Sequence, residues 1–127
     1  VVKTLIAIAL GSALGGVLRY LLGGFVHLWW ARSFPWGTLT VNVVGSTLIG
    51  LAWVLLAARG EAGETTRAFI IIGLLGGFTT FSTFSMETIL LIEQNAWGRA
   101  ASYVTLSIVA CLAGAWAGLG LGRNWLA

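Results

Sequence analysis

The chain has 127 residues, 58% hydrophobic and 9% charged, with a mean hydropathy of +0.95; ordinary soluble domains carry about 25% charged residues, so water is not its main solvent. Seven Lys and Arg against four Glu give a formal charge of +3. The positives are spread singly, which excludes the clustered basic face of a nucleic-acid-binding protein and fits membrane-flanking anchors.

At roughly 20 apolar residues per bilayer span, four spans with short loops nearly exhaust the length and leave no room for a soluble domain. The first segment runs from about residue 4 to 28 and is interrupted by Arg19. Lys3, an apolar run and small residues near Ser12 and Gly15 have the look of a secretory leader. The apolar pattern resumes after Arg19, however, so a first transmembrane helix fits better. Ala7, Gly11 and Gly15 lie four apart on one helical face, a small-residue row that lets helices approach closely in lipid. Trp29, Trp30, Arg32 and Trp36 gather around Pro35. Aromatic and basic residues together mark a membrane–water interface, and proline marks a loop or a helix start. His27, among these aromatics, is assigned no role.

The second segment, about 37–58, carries no charge but contains Thr38, Thr40, Asn42, Ser46 and Thr47. A short wet loop from Arg59 to Arg67 follows. The third segment, about 68–93, opens as plain apolar helix and then reads Gly76-Gly77-Phe78-Thr79-Thr80-Phe81-Ser82-Thr83-Phe84-Ser85. Paired glycines and a Ser/Thr run are poor helix material. At mid-span, irregular backbone survives only where it is buried in protein or lines a polar cavity, so a break is expected between Gly76 and Phe84. After a polar loop with Gln94, Asn95 and Gly98, the fourth segment runs from about 100 to 121. It carries Tyr103, Ser107 and Cys111, then a glycine series at Gly114, Gly118 and Gly122. Arg123 and Trp125 close it at an interface. Cys111 is the one cysteine, so it forms no internal disulfide and, with one distant histidine, no metal site.

With four spans both termini lie on one side, which carries Lys3, Arg59, Arg67 and Arg123. The other side carries Arg32 and Arg99, with Arg19 added if it sits near that end. Such asymmetry sets orientation; here it is weak and permits insertion both ways.

Asn42, Ser82, Thr83, Tyr103 and Ser107 offer amide and hydroxyl donors to a small anion, without a Lys or Arg in the central spans to trap it. Conduction needs binding that is favourable but escapable. Phe81 and Phe84 share a helical face, and the positive edge of a phenyl ring adds weak contacts to an anion. Taken singly, each residue has a plainer reading. Asn42 is interhelical glue or a pore ligand, and Tyr103 an interfacial aromatic or part of a polar route. Arg19 is a snorkelling residue or the wall of a vestibule. Glu87 is costly at depth, and so functional, or else lies wet near a helix end.

The run from Gly76 to Ser85 resembles the signature of the Fluc (CrcB) fluoride-channel family. Trp36-Gly37-Thr38-Leu39-Thr40-Val41-Asn42 resembles that family's second-helix motif, and Gly15-Gly16-Val17-Leu18-Arg19-Tyr20 its first-helix motif. All three stand in family order and cover nearly the whole chain. The resemblance implies an all-α membrane protein, multi-pass in a prokaryotic plasma membrane (the inner membrane of a Gram-negative cell). It implies an antiparallel, dual-topology homodimer with two pores that export fluoride down its gradient, with no nucleic-acid partner. It further implies a structural Na+ on the dimer axis, held by the backbone carbonyls of Gly76 and Thr79 from both chains in a roughly tetrahedral cage. By the same motif match Phe81 and Phe84 are the pore phenylalanines and Asn42 the pore amide. Ser82, Thr83, Tyr103 and Ser107 line a polar track, and Arg19 sits in a vestibule. Thr38 and Glu87 have no settled role, and neither does Cys111, which stands where the family often has serine.

The main rival is a small multidrug-type proton-coupled exporter, which needs a membrane-embedded carboxylate in its first helix; the first segment has none. A non-transporting subunit of a larger complex would not need a polar, glycine-broken third span. An enzyme would need a nucleophile–base set or a cofactor motif, and neither occurs.

Overall fold

A computed structural model describes residues 1–58 and 60–126. Among these residues the chain is all helical, with four apolar stretches long enough to cross a membrane: Val2–Trp29, Trp36–Ala58, Glu64–Glu93 and Trp97–Leu126. We label the helices α1 (Val2–Trp29), α2 (Trp36–Ala52, continued by a π-helical Trp53–Ala58), α3 (64–78), α4 (Phe81–Glu93) and α5 (Trp97–Leu126). The third span is α3 followed by α4. Arg59, counted above among the positives near the termini, lies outside the described residues.

The spans pair through their small residues, as the four-residue rows predict. Along α1, Ala7, Gly11 and Gly15 are the buried residues, and they face α3. A Cβ on Gly73 would lie 2.8 Å from Ile8 O, and one on Gly77 would lie 2.7 Å from Ser12 O. In α5, Gly118 and Gly122 are buried against Thr47 and Val54 of α2. Without a hydrophobic drive between helices in lipid, this close backbone contact is what holds neighbouring spans together.

Three expectations are corrected. Ala68–Leu75 is not plain α-helix but π-helical. Its hydrogen bonds reach i+5, which sets Ala68 and Gly73, five apart and both buried, above one another on one side. The glycine pair does not itself break the span: Gly76 is helical at φ −64°, ψ −39°, and Gly77 continues the helix. Gly77 is there because only a hydrogen fits against Ser12. The helices also outrun the expected spans, because hydropathy marks only the hydrocarbon-embedded part. Thus α3 begins at Glu64, and α5 takes in Gly98, Arg123 and Trp125.

At the start of α2, Pro35 offers no capping side chain. His27 supplies one instead: its Nε2 accepts the Gly37 N–H at 3.3 Å. Trp36 packs on Trp30 (5.0 Å between ring centroids) and on Phe34 (4.5 Å), forming the aromatic cluster expected around Pro35.

Candidate functional site

The break lies at Thr79 and Thr80, inside the expected window and near the middle of the 30-residue third span. Thr79 is extended at φ −83°, ψ 158° and Thr80 at φ −152°, ψ 111°. Unpaired backbone at this depth costs several kcal/mol or so per group, and one side chain meets most of that demand. Asn42 Nδ2 donates to Thr80 O at 3.1 Å, and Thr80 N donates to Asn42 Oδ1 at 2.8 Å. The amide of Asn42 therefore pairs with Thr80 as a neighbouring strand would. Thr80 also caps α4, its hydroxyl accepting Thr83 N at 3.2 Å and donating to Thr83 Oγ1 at 3.0 Å.

These bonds divert two helical donors. Thr80 N, which a continuous α-helix would aim at Gly76 O, goes to Asn42. Thr83 N, which would reach Thr79 O, goes to Thr80. The Gly76 and Thr79 carbonyls thus lose their α-helical partners, and Gly76 is exposed on the chain's outer face.

Beside the break a groove of about 370 Å³ opens between α2, α4 and α5. Its polar lining is Asn42, Ser46, Thr79, Thr80, Ser107 and Cys111; Phe81 and Phe84 form its aromatic wall, and no lining residue is charged. The Ser107 hydroxyl is buried there without a hydrogen-bond partner. Phe81 is 79% exposed, and its ring lies 5.4 Å from that of Phe84. Phe84 in turn packs on Tyr103 at 5.1 Å. Tyr103, Ser107 and Cys111 follow one another at helical spacing along one face of α5.

On the other side of Thr80 a second cavity of about 370 Å³ is lined by Arg19, Tyr20, Thr38 and Thr83, among others. Arg19 is half-buried, and its Nε has no partner. It therefore borders a polar cavity from within α1. Glu87 is half-buried. Its Oε1 accepts the Thr38 hydroxyl at 2.6 Å, and its Oε2 accepts Tyr103 OH at 3.3 Å. It also borders a cavity of about 270 Å³ with His27, Arg32 and Ser33. Tyr103 is fully buried and meets Phe34 edge-on at 5.5 Å, so it belongs to the core and not to an interfacial belt.

The expected set is thus divided. Asn42, Phe81, Phe84, Ser107 and Cys111 meet at the first groove, Arg19, Thr38 and Thr83 at the second, and Glu87 and Tyr103 join the elements beyond. Ser82 is exposed and lines neither groove; its Oγ lies 3.4 Å from that of Thr80. Two residues gain roles not assigned from sequence. Thr80 could have been found as a hydroxyl residue directly before a helical run, the N-cap signal. His27 offered no signal.

Residues 6–119 match the family described as CrcB-like protein, Camphor Resistance (CrcB). The chain belongs to the CrcB family. Among its CrcB relatives, the protein named fluoride-specific ion channel FluC of Agrobacterium fabrum is 49% identical over 92% of this chain and 94% of its own length. The FluC of Opitutus terrae is 50% identical over 87% of this chain and 86% of its own length. That of Rhodospirillum centenum is 44% identical over 98% and 99%. Each is named an ion channel and not an enzyme. The break, its Asn42 clamp and both grooves all fall within the part that matches the CrcB family.

Proposed function

We propose that the protein is a fluoride-selective channel that lets fluoride leave a prokaryotic cell down its electrochemical gradient, across the plasma membrane. The observation that carries this reading is the mid-membrane groove, where the buried, unpartnered Ser107 hydroxyl stands among neutral polar groups beside Phe81 and Phe84. A free donor with no fixed charge near it binds a small anion and lets it go. Membership of the CrcB family, with relatives named as fluoride channels, supports the same choice of ion.

The working unit in this proposal is an antiparallel homodimer with two pores. In one chain the groove is open and Phe81 is 79% exposed; a second copy laid over that face encloses the route. Arg19 draws anions into the vestibule. Thr83 carries a polar track past the break, Ser107 continues it in the first groove, and the phenylalanine edges flank the ion there.

The break also fits a structural Na+. Gly76 O and Thr79 O are the carbonyls whose α-helical donors are diverted, and neutral oxygens suit a hard cation; broken membrane helices elsewhere hold sodium through such carbonyls. Bound on the two-fold axis, the ion would neutralise carbonyl dipoles of both chains and tie them together. Asn42 keeps the Gly76 carbonyl free by claiming Thr80 N for itself, and the Thr80 hydroxyl does the same for Thr79 O by claiming Thr83 N.

The multidrug-exporter reading has less support. Val2–Trp29 contains no acidic residue, and both oxygens of Glu87 are occupied by hydroxyl bonds. Expression in a bacterium stripped of fluoride export tests the choice. The protein should restore growth on fluoride, and the Phe84→Ala variant should not. Failure to rescue, with the protein present in the membrane, would overturn the proposal.

A further inference from the structure

His27 is the residue for which neither the break nor the grooves has a use. Its ring lies close against the start of α2: a Cβ on Gly37 would sit 2.9 Å from both Cδ2 and Nε2 of the imidazole. With Nε2 accepting the Gly37 N–H, the neutral ring carries its proton on Nδ1, and that nitrogen is buried without a partner. Gly37 is itself buried, so water is poorly placed to replace the bond. The next residue, Thr38, donates to Glu87 at 2.6 Å. A single chain of contacts therefore runs from His27 through the first turn of α2 to the carboxylate that joins α2, α4 and α5.

We propose that His27 is a positioning residue for the mouth of the fluoride route, the vestibule wall that Gly37 and Thr38 share with Arg19, holding it open when neutral and loosening it when protonated. This rests on the channel reading above. Protonation places an N–H on Nε2 against the Gly37 N–H, two donors face to face, at a helix N-terminus that already carries positive partial charge. Charged and titratable groups from the loop, α4 and α5 lie around the ring. Arg32 of the connecting loop and Glu87 of α4 share its cavity. Tyr103 of α5 stands behind Glu87, and Arg99 of α5 is held on Ser33 O at 2.9 Å. Glu87 is the acidic member of this group. An imidazolium released from Gly37 is drawn to Glu87 and competes with Thr38 for it. Protonation of the ring in acid surroundings therefore loosens the mouth.

The test is fluoride efflux from proteoliposomes held at equal pH on both sides, between about pH 5 and 8, with leakage of neutral HF from protein-free vesicles subtracted. Wild-type flux should fall about fivefold toward the acid end, the factor expected for one lost hydrogen bond. His27→Gln, whose Oε1 accepts the Gly37 N–H without titrating, should keep its neutral-pH flux throughout. Hydrogen exchange of the Gly37 amide in nanodiscs, corrected for intrinsic rates, reports the cap without transport. It should quicken in acid in the wild type and not in His27→Gln. A flat wild-type profile, or the same acid loss in His27→Gln, overturns the proposal. Absence of flux at every pH overturns the channel reading instead, and the Gly37 exchange then confirms or refutes the His27 cap by itself.

Discussion

Asn42 shows how little of a membrane site is visible one residue at a time. In a sequence it is an amide in an apolar helix, suited to glue more often than to pore. In the structure both of its polar atoms are bonded to Thr80, 38 positions away. A long-range pairing of this kind leaves no local pattern to read. Glu87 is similar: its cost at depth was legible, but its partners Thr38 and Tyr103 come from other spans. The phenylalanines were legible as a pair by spacing, and they do meet, at 5.4 Å. Their role is open to a direct check. Phe81→Ile and Phe84→Ile keep bulk and remove the ring edge. Each should lower fluoride flux by about threefold to tenfold, the worth of one favourable ring contact, while size-exclusion chromatography shows the assembly intact. Wild-type flux in either variant would remove that ring from the route.

At the scale of elements, hydropathy located all four spans and composition located the break within a window of a few residues. The cause of the break was misread. Paired glycines suggested a backbone too flexible for a helix, yet both are helical, and the departure comes at Thr79, once Thr80 can find better partners in Asn42 and Thr83. The π-helical turns of Ala68–Leu75 were not legible, since nothing in an apolar run separates an i+5 ladder from an i+4 one. The small-residue rows were legible because four-residue spacing maps directly onto a helical face. They predict a contrast within a single protein. Gly77→Val forces side-chain atoms into Ser12 of α1, where even a Cβ would lie 2.7 Å from the carbonyl oxygen. It should destabilise the fold by about 1–3 kcal/mol, the usual cost of overpacking. Gly16→Ala, where a Cβ meets nothing within 4 Å, should be close to neutral. Thermal unfolding in detergent distinguishes the two, and equal losses would mean that α1 and α3 are not held together at Gly77.

On the scale of the whole molecule, the proposed channel needs a second chain. Its groove is open along one side, its most exposed phenylalanine belongs to the proposed route, and Gly76, one of the two residues whose carbonyls the break frees, is exposed. Two copies related by a two-fold axis in the membrane plane would meet all three conditions. The thin charge bias between the two ends, Lys3, Arg67 and Arg123 against Arg32 and Arg99 among the described residues, is what such an arrangement needs, because neither orientation is strongly favoured. A cysteine at Gly63, in the exposed loop before α3, placed in a Cys111→Ser background, should react with an impermeant thiol reagent from both sides of the cell membrane. Labelling from one side alone would exclude dual orientation.

In the proposed channel the neutral groove beside the Thr79–Thr80 break passes fluoride and rejects larger anions. Purified protein reconstituted into liposomes loaded with both fluoride and chloride tests it most directly, with an ion-selective electrode following each anion after a potassium ionophore removes the electrical brake. The expected result is rapid fluoride efflux with chloride retained. Chloride leaving as fast as fluoride, or neither leaving faster than from empty liposomes, would contradict it.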